Sequence, residues 1–173
     1  MPRNIEIKAR ISDLAALRAR AASVATAAPI IIEQVDAFFD APLARLKVRA
    51  FSDGSGELIA YRRADRHGPK ESVYSRTACG DAAGLAAALA AALPLRGRVV
   101  KRRELFMAGR TRIHLDDVEG LGTFLELEVV LRDGEAAADG EREACELLRA
   151  LGVDARDLVP DAYIDLLARK AGV

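Results

Sequence analysis

The chain has 173 residues, of which 51% are hydrophobic and 30% are charged. This length suits one domain of about 100–200 residues, and the composition is that of a globular protein, which excludes a disordered or collagen-like chain. The 26 lysines and arginines balance the 26 aspartates and glutamates, which argues against a nucleic-acid coat and a basic membrane binder. We expect one domain over residues 1–173, with neither nucleic acid nor membrane as a partner.

The cysteines and the N-terminal residues indicate the compartment. Cys79 and Cys145 lie far apart, without metal-ligand or disulfide-scaffold spacing. The N-terminal residues carry charges where a signal peptide needs an apolar core. The longest apolar run, residues 82–93, is shorter than the about 20 residues that span a bilayer. A cytoplasmic protein is therefore expected.

Alternation of apolar and polar side chains recurs along most of the chain, which is typical of strands with two different faces. It predicts about eight antiparallel strands, over residues 4–11, 30–36, 43–51, 57–63, 70–76, 99–107, 110–116 and 123–131. Helices are predicted from an N-cap at Ser12-Asp13 to about residue 22, and over about residues 82–93, 136–151 and 160–170. Strands with helices inserted between them define an α+β fold.

The polar faces of these strands are unusually rich in charge. A solvated strand face carries scattered polar residues, but here basic residues predominate: Arg45, Lys47, Arg49, Lys70, Arg76, Lys101, Arg103 and Arg112. Carboxylates share these faces at Glu6, Asp116, Glu126 and Glu128. A solvated face is the simpler interpretation of any one strand. The joint pattern favours a sheet closed into a barrel, with the polar faces inward and the helices outside.

Such an interior needs a ligand, because an unpaired buried charge is costly. Arginine and lysine bind phosphate oxygens, and carboxylates hold Mg²⁺ or Mn²⁺ that bridges to phosphate. The pattern therefore predicts phosphoryl or nucleotidyl transfer. If the basic residues serve only to bind phosphate, Lys101→Ala or Arg103→Ala should weaken triphosphate binding and leave the fold intact.

Six short segments add specificity through their order and spacing. They are Asn4-Ile5-Glu6-Ile7-Lys8 (pattern E-x-E-x-K), Arg45-Leu46-Lys47-Val48-Arg49 (L-R-x-R), Lys101-Arg102-Arg103 (K-x-R), Arg112-Ile113-His114-Leu115-Asp116 (R-x-x-L-D), residues 121–128 (L-G-x-F-x-E-x-E) and Tyr163-Ile164-Asp165-Leu166-Leu167 (S-Y-x-x-L-L). Together they resemble the CYTH or triphosphate tunnel superfamily over almost the whole chain. The last two segments are most similar to its class IV adenylate cyclase-like branch.

The resemblance implies an eight-stranded antiparallel barrel that binds a triphosphate with divalent cations, Mg²⁺ or Mn²⁺. It implies metal ligands at Glu6, Asp116, Glu126 and Glu128. From the predicted closed barrel, we expect Glu6 to lie two strands away from Glu126 and Glu128, on the opposite wall. The resemblance also implies substrate-binding residues at Lys8, Lys47, Arg49, Arg63, Lys70, Arg76, Lys101, Arg103 and Arg112. Among these, Lys8, Arg49 and Arg112 are the catalytic candidates. Arg63 is preferred over Arg62, since only one of two adjacent residues faces inward.

Two positions depart from the family pattern. Asn4 replaces the first glutamate of the signature, which keeps a carbonyl oxygen but removes one negative charge from the acidic cluster. Lys47 replaces the first arginine of its motif, which keeps the charge and loses a bidentate contact. His114 is interpreted as an ion-paired or hydrogen-bonded residue, and Tyr163 as packing the last helix against the tunnel mouth.

Three functions remain open at this point. The first is an adenylate cyclase that converts ATP to cyclic AMP and pyrophosphate. The second is a triphosphatase acting on inorganic or organic triphosphate, and the third is a non-catalytic polyphosphate- or nucleotide-binding protein, which Asn4 makes more plausible. The expected partner is a small triphosphate such as ATP or inorganic triphosphate. A homodimer is expected because twofold dimers are the commonest oligomers.

Overall fold

The computed structural model describes residues 1–172 and shows eight strands closed into an antiparallel barrel. The strands are β1 (Arg3–Arg10), β2 (Ile30–Phe39), β3 (Arg45–Phe51), β4 (Gly56–Arg63), β5 (Lys70–Cys79), β6 (Leu95–Ala108), β7 (Thr111–Val118) and β8 (Gly122–Val130). The helices are α1 (Leu14–Val24), α2 (Ala82–Ala90), α3 (Ala137–Ala150) and α4 (Tyr163–Ala171), with a 3-10 helix at Ala155–Asp157. The predicted α+β barrel is confirmed. Val173, the last residue of the predicted domain, lies outside the described residues.

Closure of the barrel depends on β1, which pairs with β5 on one side and with β8 on the other. The order around the barrel is β1-β5-β4-β3-β2-β6-β7-β8. Glu6 therefore lies opposite Glu128 in the register of adjacent strands. The expectation that Glu6 comes from the opposite wall was wrong, because the first and last strands of the chain are the pair that close the sheet.

Three helices cover the outward strand faces, where the apolar half of each alternation lies. Leu17 of α1 and Leu148 of α3 pack with Ile7 and other buried residues of β1, β7 and β8. Ala82 of α2 packs on Val48 over the β2–β3 side. Full burial of one such leucine or isoleucine contributes about 1.5–3 kcal/mol. The charged half of the alternation is thereby left to face inward.

The fourth helix closes one end of the barrel. Tyr163 and Ile164, at the start of α4, pack with Val99 and Phe124 in a separate apolar cluster. A Cβ atom at Gly97 would lie 2.8 Å from Ile164 Cδ1, so glycine there permits this close approach. The barrel therefore has a closed end at α4 and an open end at the opposite ends of the strands.

The boundaries of the elements differ from the prediction by a few residues. The β6 strand spans Leu95–Ala108, well beyond the predicted 99–107, because its residues 95–105 pair with β2 and its residues 101–108 pair with β7. The α2 helix ends at Ala90 instead of residue 93. Within the described chain, no helix combines the length and the apolar character that a membrane span requires.

Candidate active site

Inward side chains from all eight strands line one central cavity, as the alternation predicted. Eight of the lining residues are basic: Lys8, Lys47, Arg49, Arg63, Arg76, Lys101, Arg103 and Arg112. Four are acidic: Glu6, Asp36, Glu126 and Glu128. The excess of basic groups gives the cavity the charge that a polyanion would neutralise.

Asp36 of β2 is the centre of one basic cluster. Its carboxylate is buried and accepts hydrogen bonds from Lys47 Nζ at 2.7 Å and Arg49 Nε at 2.9 Å. Burial opposes ionisation, but the Arg49 and Lys47 cations outweigh it and hold the pKa of Asp36 well below its usual range. Sequence reasoning missed this residue within a β-branched stretch. The sequence feature that could have identified Asp36 is its two-residue spacing from Gln34 and Phe38, which places it on the inward face of β2.

Asp116 of β7 lies on the inward face of the barrel beside Tyr163 of α4 and is 0% exposed. Arg103 donates two hydrogen bonds of 2.6 Å to it, Lys101 Nζ donates one at 3.3 Å, and the Tyr163 hydroxyl donates one at 2.9 Å. Against the effect of burial, Arg103 and Lys101 hold the pKa of Asp116 below its usual range. Asp116 is absent from the described residues that line the cavity. Asp116 was predicted as a metal ligand, but in the structure it is the counter-ion of two basic side chains, Arg103 and Lys101.

Glu126 and Glu128 of β8 project into the cavity beside basic partners. Lys8 Nζ lies 3.4 Å from Glu126 Oε1, and Arg103 Nη2 donates to Glu126 Oε2 at 2.6 Å. Arg112 Nη1 donates to Glu128 Oε2 at 3.0 Å. Burial opposes ionisation of Glu126, but Lys8 and Arg103 hold its pKa well below the usual range. Burial opposes ionisation of Glu128 as well, but His114, Arg103 and Arg112 hold its pKa below the usual range. Both carboxylates are thus ionised at neutral pH, each beside a basic partner.

His114 of β7 forms a group of three possible metal ligands with these glutamates. One ligand atom from each residue lies within 4.8 Å of the others. His114 Nδ1 lies 3.8 Å from Glu128 Oε1 and 4.0 Å from Glu126 Oε2. Burial, reinforced by Arg103, lowers the pKa of His114 to about 4, so the ring is neutral at pH 7 and keeps a lone pair. One imidazole and two carboxylates are a donor set that fits a divalent cation.

His114 was predicted to be ion-paired or hydrogen-bonded; it lies beside Glu126 and Glu128 at ion-pair distance, but no hydrogen bond is seen at Nδ1 among the described residues. Among the described residues, this buried atom has no hydrogen-bond partner, which leaves it free for a ligand. The proximity of His114 to Glu126 could have been predicted from the sequence, because β7 and β8 form a hairpin whose register places these two residues opposite each other. Facing positions of a hairpin bring side chains about 4.5–5.5 Å apart at Cβ.

Asn4 and Glu6 occupy successive inward positions of β1. Glu6 accepts a hydrogen bond from Arg63 Nη1 at 3.1 Å, and burial together with nearby Glu126 raises its pKa. Asn4 is 3% exposed, and its Oδ1 has no partner within the part of the chain described. The substitution in the family signature thus leaves a neutral oxygen free to meet a ligand. Arg62 is exposed, and the preference for Arg63 as the inward residue is confirmed.

Two predicted substrate-binding residues occupy different surroundings from the rest. Lys70 Nζ donates to the carbonyls of Pro160 at 2.6 Å and Arg66 at 3.2 Å, and Lys70 is absent from the described cavity lining. It holds the segment that leads into α4. Arg76 lines the cavity beside Glu57, at 3.4 Å, with a side chain that is 46% exposed. The structure therefore brings Arg76 to the open end and keeps Lys70 out of the cavity.

The buried carboxylates predict a loss of stability in acid. The folded pKa of Asp36 lies below its unfolded value of about 3.9, so between the two values only the unfolded chain binds a proton. Stability contributed by Asp36 is therefore present above the unfolded pKa and is lost as the pH falls through the folded pKa. Urea unfolding across the acid range should show this decline. Asp36→Asn should make it shallower, and an equal slope in both proteins would contradict the assignment.

The sequence itself supports what the barrel and its cavity indicate. A family model described as the CYTH domain matches residues 2–163. The chain belongs to the CYTH domain family. A protein of Methanocaldococcus jannaschii named "Putative adenylate cyclase MJ0240" is 35% identical to this CYTH domain over 66 residues, which are 38% of this chain and 38% of that protein.

Solved structures share the fold of this CYTH domain. The PH1012 protein of Pyrococcus horikoshii OT3 has a TM-score of 0.84 at 24% identity, with 94% of this chain and 98% of that chain covered. The HpAC1 protein of Hippeastrum, described as a putative adenylyl cyclase with a dominant triphosphatase activity, has a TM-score of 0.65 at 14% identity. That comparison covers 98% of this chain and 96% of the other. At these identities the likeness shows the fold.

Proposed function

We propose that this CYTH domain is a metal-dependent adenylate cyclase, which converts ATP to cyclic AMP and pyrophosphate. The observation that supports it is the cavity itself, where eight basic side chains surround four acidic ones. A triphosphate needs many cationic donors, and the acidic groups serve a cation that travels with it. The relative from M. jannaschii, named "Putative adenylate cyclase MJ0240", supports the choice of reaction.

The basic residues would bind and orient the phosphate chain. Arg49 and Lys47, now paired with Asp36, would exchange part of that interaction for phosphate oxygens, as would Arg112 beside Glu128. Lys8, Arg49 and Arg112 are assigned the catalytic role of neutralising charge that develops on the reacting phosphate. The 3′-hydroxyl oxygen attacks the α-phosphorus and gives up its proton to water, and the bond from that phosphorus to the bridging oxygen breaks to release pyrophosphate.

His114, Glu126 and Glu128 are the residues proposed to hold the cation, with Glu6 beside them. His114 Nδ1, which has no hydrogen-bond partner in the described part of the chain, and the mutual distances within this group fit a divalent ion. A nitrogen ligand favours Mn²⁺ over Mg²⁺, which prefers oxygen ligands throughout its shell. When bound, the ion supplies charge neutralisation at the phosphate oxygens. Asp116 would act indirectly, by fixing the positions of Arg103 and Lys101.

A triphosphatase is the second candidate, supported by the fold shared with the Hippeastrum protein. The same basic residues would then position the chain for attack by water on the terminal phosphorus. The two reactions differ in the nucleophile and in the phosphorus that it attacks, and so the products distinguish them.

Product analysis tests the proposal. The protein should convert ATP to cyclic AMP and pyrophosphate in Mn²⁺ and in Mg²⁺, as separated by chromatography. Arg112→Ala should lose most of this turnover. Arg110→Ala is the matched control, because Arg110 lies two residues away and pairs with Glu135 and Glu143 outside the barrel.

Other results would contradict the cyclase or the role of Arg112. Orthophosphate released from ATP or inorganic triphosphate would establish the triphosphatase instead. Tight binding of both compounds without turnover in either metal would establish a non-catalytic binding protein, and equal activity in both arginine variants would remove Arg112 from the site.

A further inference from the structure

An aromatic ring from the last helix lies at the closed end of the cavity. Tyr163, the first residue of α4, is 6% exposed and lines the cavity. It belongs to the last of the six short sequence segments, residues 163–167. Its hydroxyl donates to Asp116 at 2.9 Å, and its ring packs edge-to-face with Phe124, with the ring centres 5.0 Å apart. These two contacts fix the position and the orientation of the ring.

Two cavity lysines approach this ring. Lys8 Nζ lies 3.9 Å from the ring centre, and Lys101 Nζ lies 4.9 Å from it. The face of an aromatic ring attracts a cation that lies within about 6 Å of its centre. The two lysines are 4% and 5% exposed, so water weakens this attraction little. The ring therefore holds the ends of two flexible side chains at the bottom of the cavity.

The remaining contacts of the two lysines tie them further to α4. Lys8 Nζ donates to the carbonyl of Asp161, just before the helix, at 3.2 Å. Lys101 Nζ donates to Asp116 at 3.3 Å, and the Tyr163 hydroxyl donates to the same carboxylate. Both lysine ends thus depend for their position on where α4 places Tyr163.

Covering the end of the barrel does not by itself require a tyrosine. Ile164, the next residue of α4, packs with Val99 in the same apolar cluster and supplies apolar contact of the kind that a cover needs. A lysine end that is already in place binds an anion more tightly than a mobile one, because ordering a long side chain on binding costs conformational entropy. A ring that holds two lysines therefore affects binding as well as packing.

We propose that Tyr163 is a positioning residue, whose ring holds Lys8 and Lys101 in place to meet the deepest phosphate group of the ligand. This inference rests on the proposed function, because the two lysines must bind phosphate for their placement to matter. Tyr163 acts through the lysines, since its hydroxyl is already bonded to Asp116.

Calorimetric titration with the methylene-bridged analogue of inorganic triphosphate, which resists hydrolysis, measures the effect on binding. Tyr163→Leu should weaken binding about tenfold, the order of effect of ordering two lysine side chains during binding. Tyr163→Phe keeps the ring and loses one hydrogen bond, so its affinity should stay within about threefold of the unmodified protein. Ile164→Ala is the matched control, because it loosens the packing of α4 in the same cluster and should bind the analogue normally.

Nuclear magnetic resonance of the ligand-free protein reports the lysine positions directly. Protons that lie over the face of an aromatic ring give signals shifted upfield by the ring current. With isotope-labelled lysine, the methylene protons beside Nζ of Lys8 and Lys101 should show this shift. The shift should persist in Tyr163→Phe and disappear in Tyr163→Leu, whereas a residue that only packed the helix would leave these signals unchanged.

Several outcomes would overturn the inference and leave the proposed function standing. They are unchanged affinity in Tyr163→Leu, an equal loss in Tyr163→Leu and Tyr163→Phe, which would assign the effect to the hydroxyl, and an equal loss in Ile164→Ala, which would assign it to packing alone. Thermal unfolding of each variant controls for the fold. If the unmodified protein did not bind the analogue, the proposed function and this inference would both be wrong.

Discussion

Replacing Arg103 with glutamine is expected to lower the free energy of unfolding by about 3–5 kcal/mol, the usual cost of breaking a buried ion pair from one side. Arg103 donates two hydrogen bonds to Asp116, which is 0% exposed. In the variant, Asp116 would keep only Lys101 and the Tyr163 hydroxyl as partners. Urea unfolding at neutral pH measures the change. This result would reverse the sequence-based expectation that loss of Arg103 leaves the fold intact.

Two further variants test whether the loss of stability comes from the Arg103–Asp116 ion pair. Arg142→Gln removes an arginine whose partner, Asp139, is exposed on α3, and such surface pairs contribute little. Arg103→Gln combined with Asp116→Asn should recover part of the loss, because the carboxylate that needs the arginine is gone. If Arg103→Gln destabilised no more than Arg142→Gln, the pair with Asp116 would not be holding the barrel together.

Glu126→Gln and Glu128→Gln are each expected to reduce turnover at least about tenfold, or about 1.4 kcal/mol of barrier. Both residues belong to the group with His114 whose ligand atoms lie within 4.8 Å of one another. An amide keeps one oxygen but loses the negative charge that attracts a cation. Raising the Mn²⁺ concentration should recover part of the activity, because the defect lies in metal occupancy.

A direct titration of Mn²⁺ distinguishes this cause from a general disturbance of the site. Both variants should bind the ion more weakly, whereas Glu143→Gln should bind it normally. Glu143 is a suitable control because it is ion-paired with Arg110 outside the cavity. Full activity of Glu126→Gln and Glu128→Gln at low metal would show that no carboxylate cluster takes part in the reaction.

Much of the fold followed from the alternation of side chains. The inward placement of Lys8, Arg49 and Arg112 depends only on strand parity, which is visible in the sequence. Closure of the barrel followed from the excess of charge on the polar faces, since an open sheet would not need so many basic groups on one side. These features are local or repeated, and short-range pattern is sufficient to predict them.

The surroundings of particular residues depended on pairings that short-range pattern does not reveal. Lys70 holds the carbonyl of Pro160, which lies far along the chain, so its removal from the cavity could not be read from its own strand. The burial of Asp116 depends on Tyr163 of α4 in the same way. Glu6 and Glu128 became neighbours only because the terminal strands of the barrel meet.

Because α4 covers one end of the barrel, the fold also constrains the order in which reaction products can leave. With one end covered by α4 in the described structure, a substrate of the proposed reaction would enter, and its products would leave, through the other end. In the proposed cyclase reaction, the phosphate chain would lie among Lys8 and its basic neighbours, with the nucleoside nearer the open end. The cyclic nucleotide would then lie between pyrophosphate and the exit, so it would leave first and pyrophosphate would leave last.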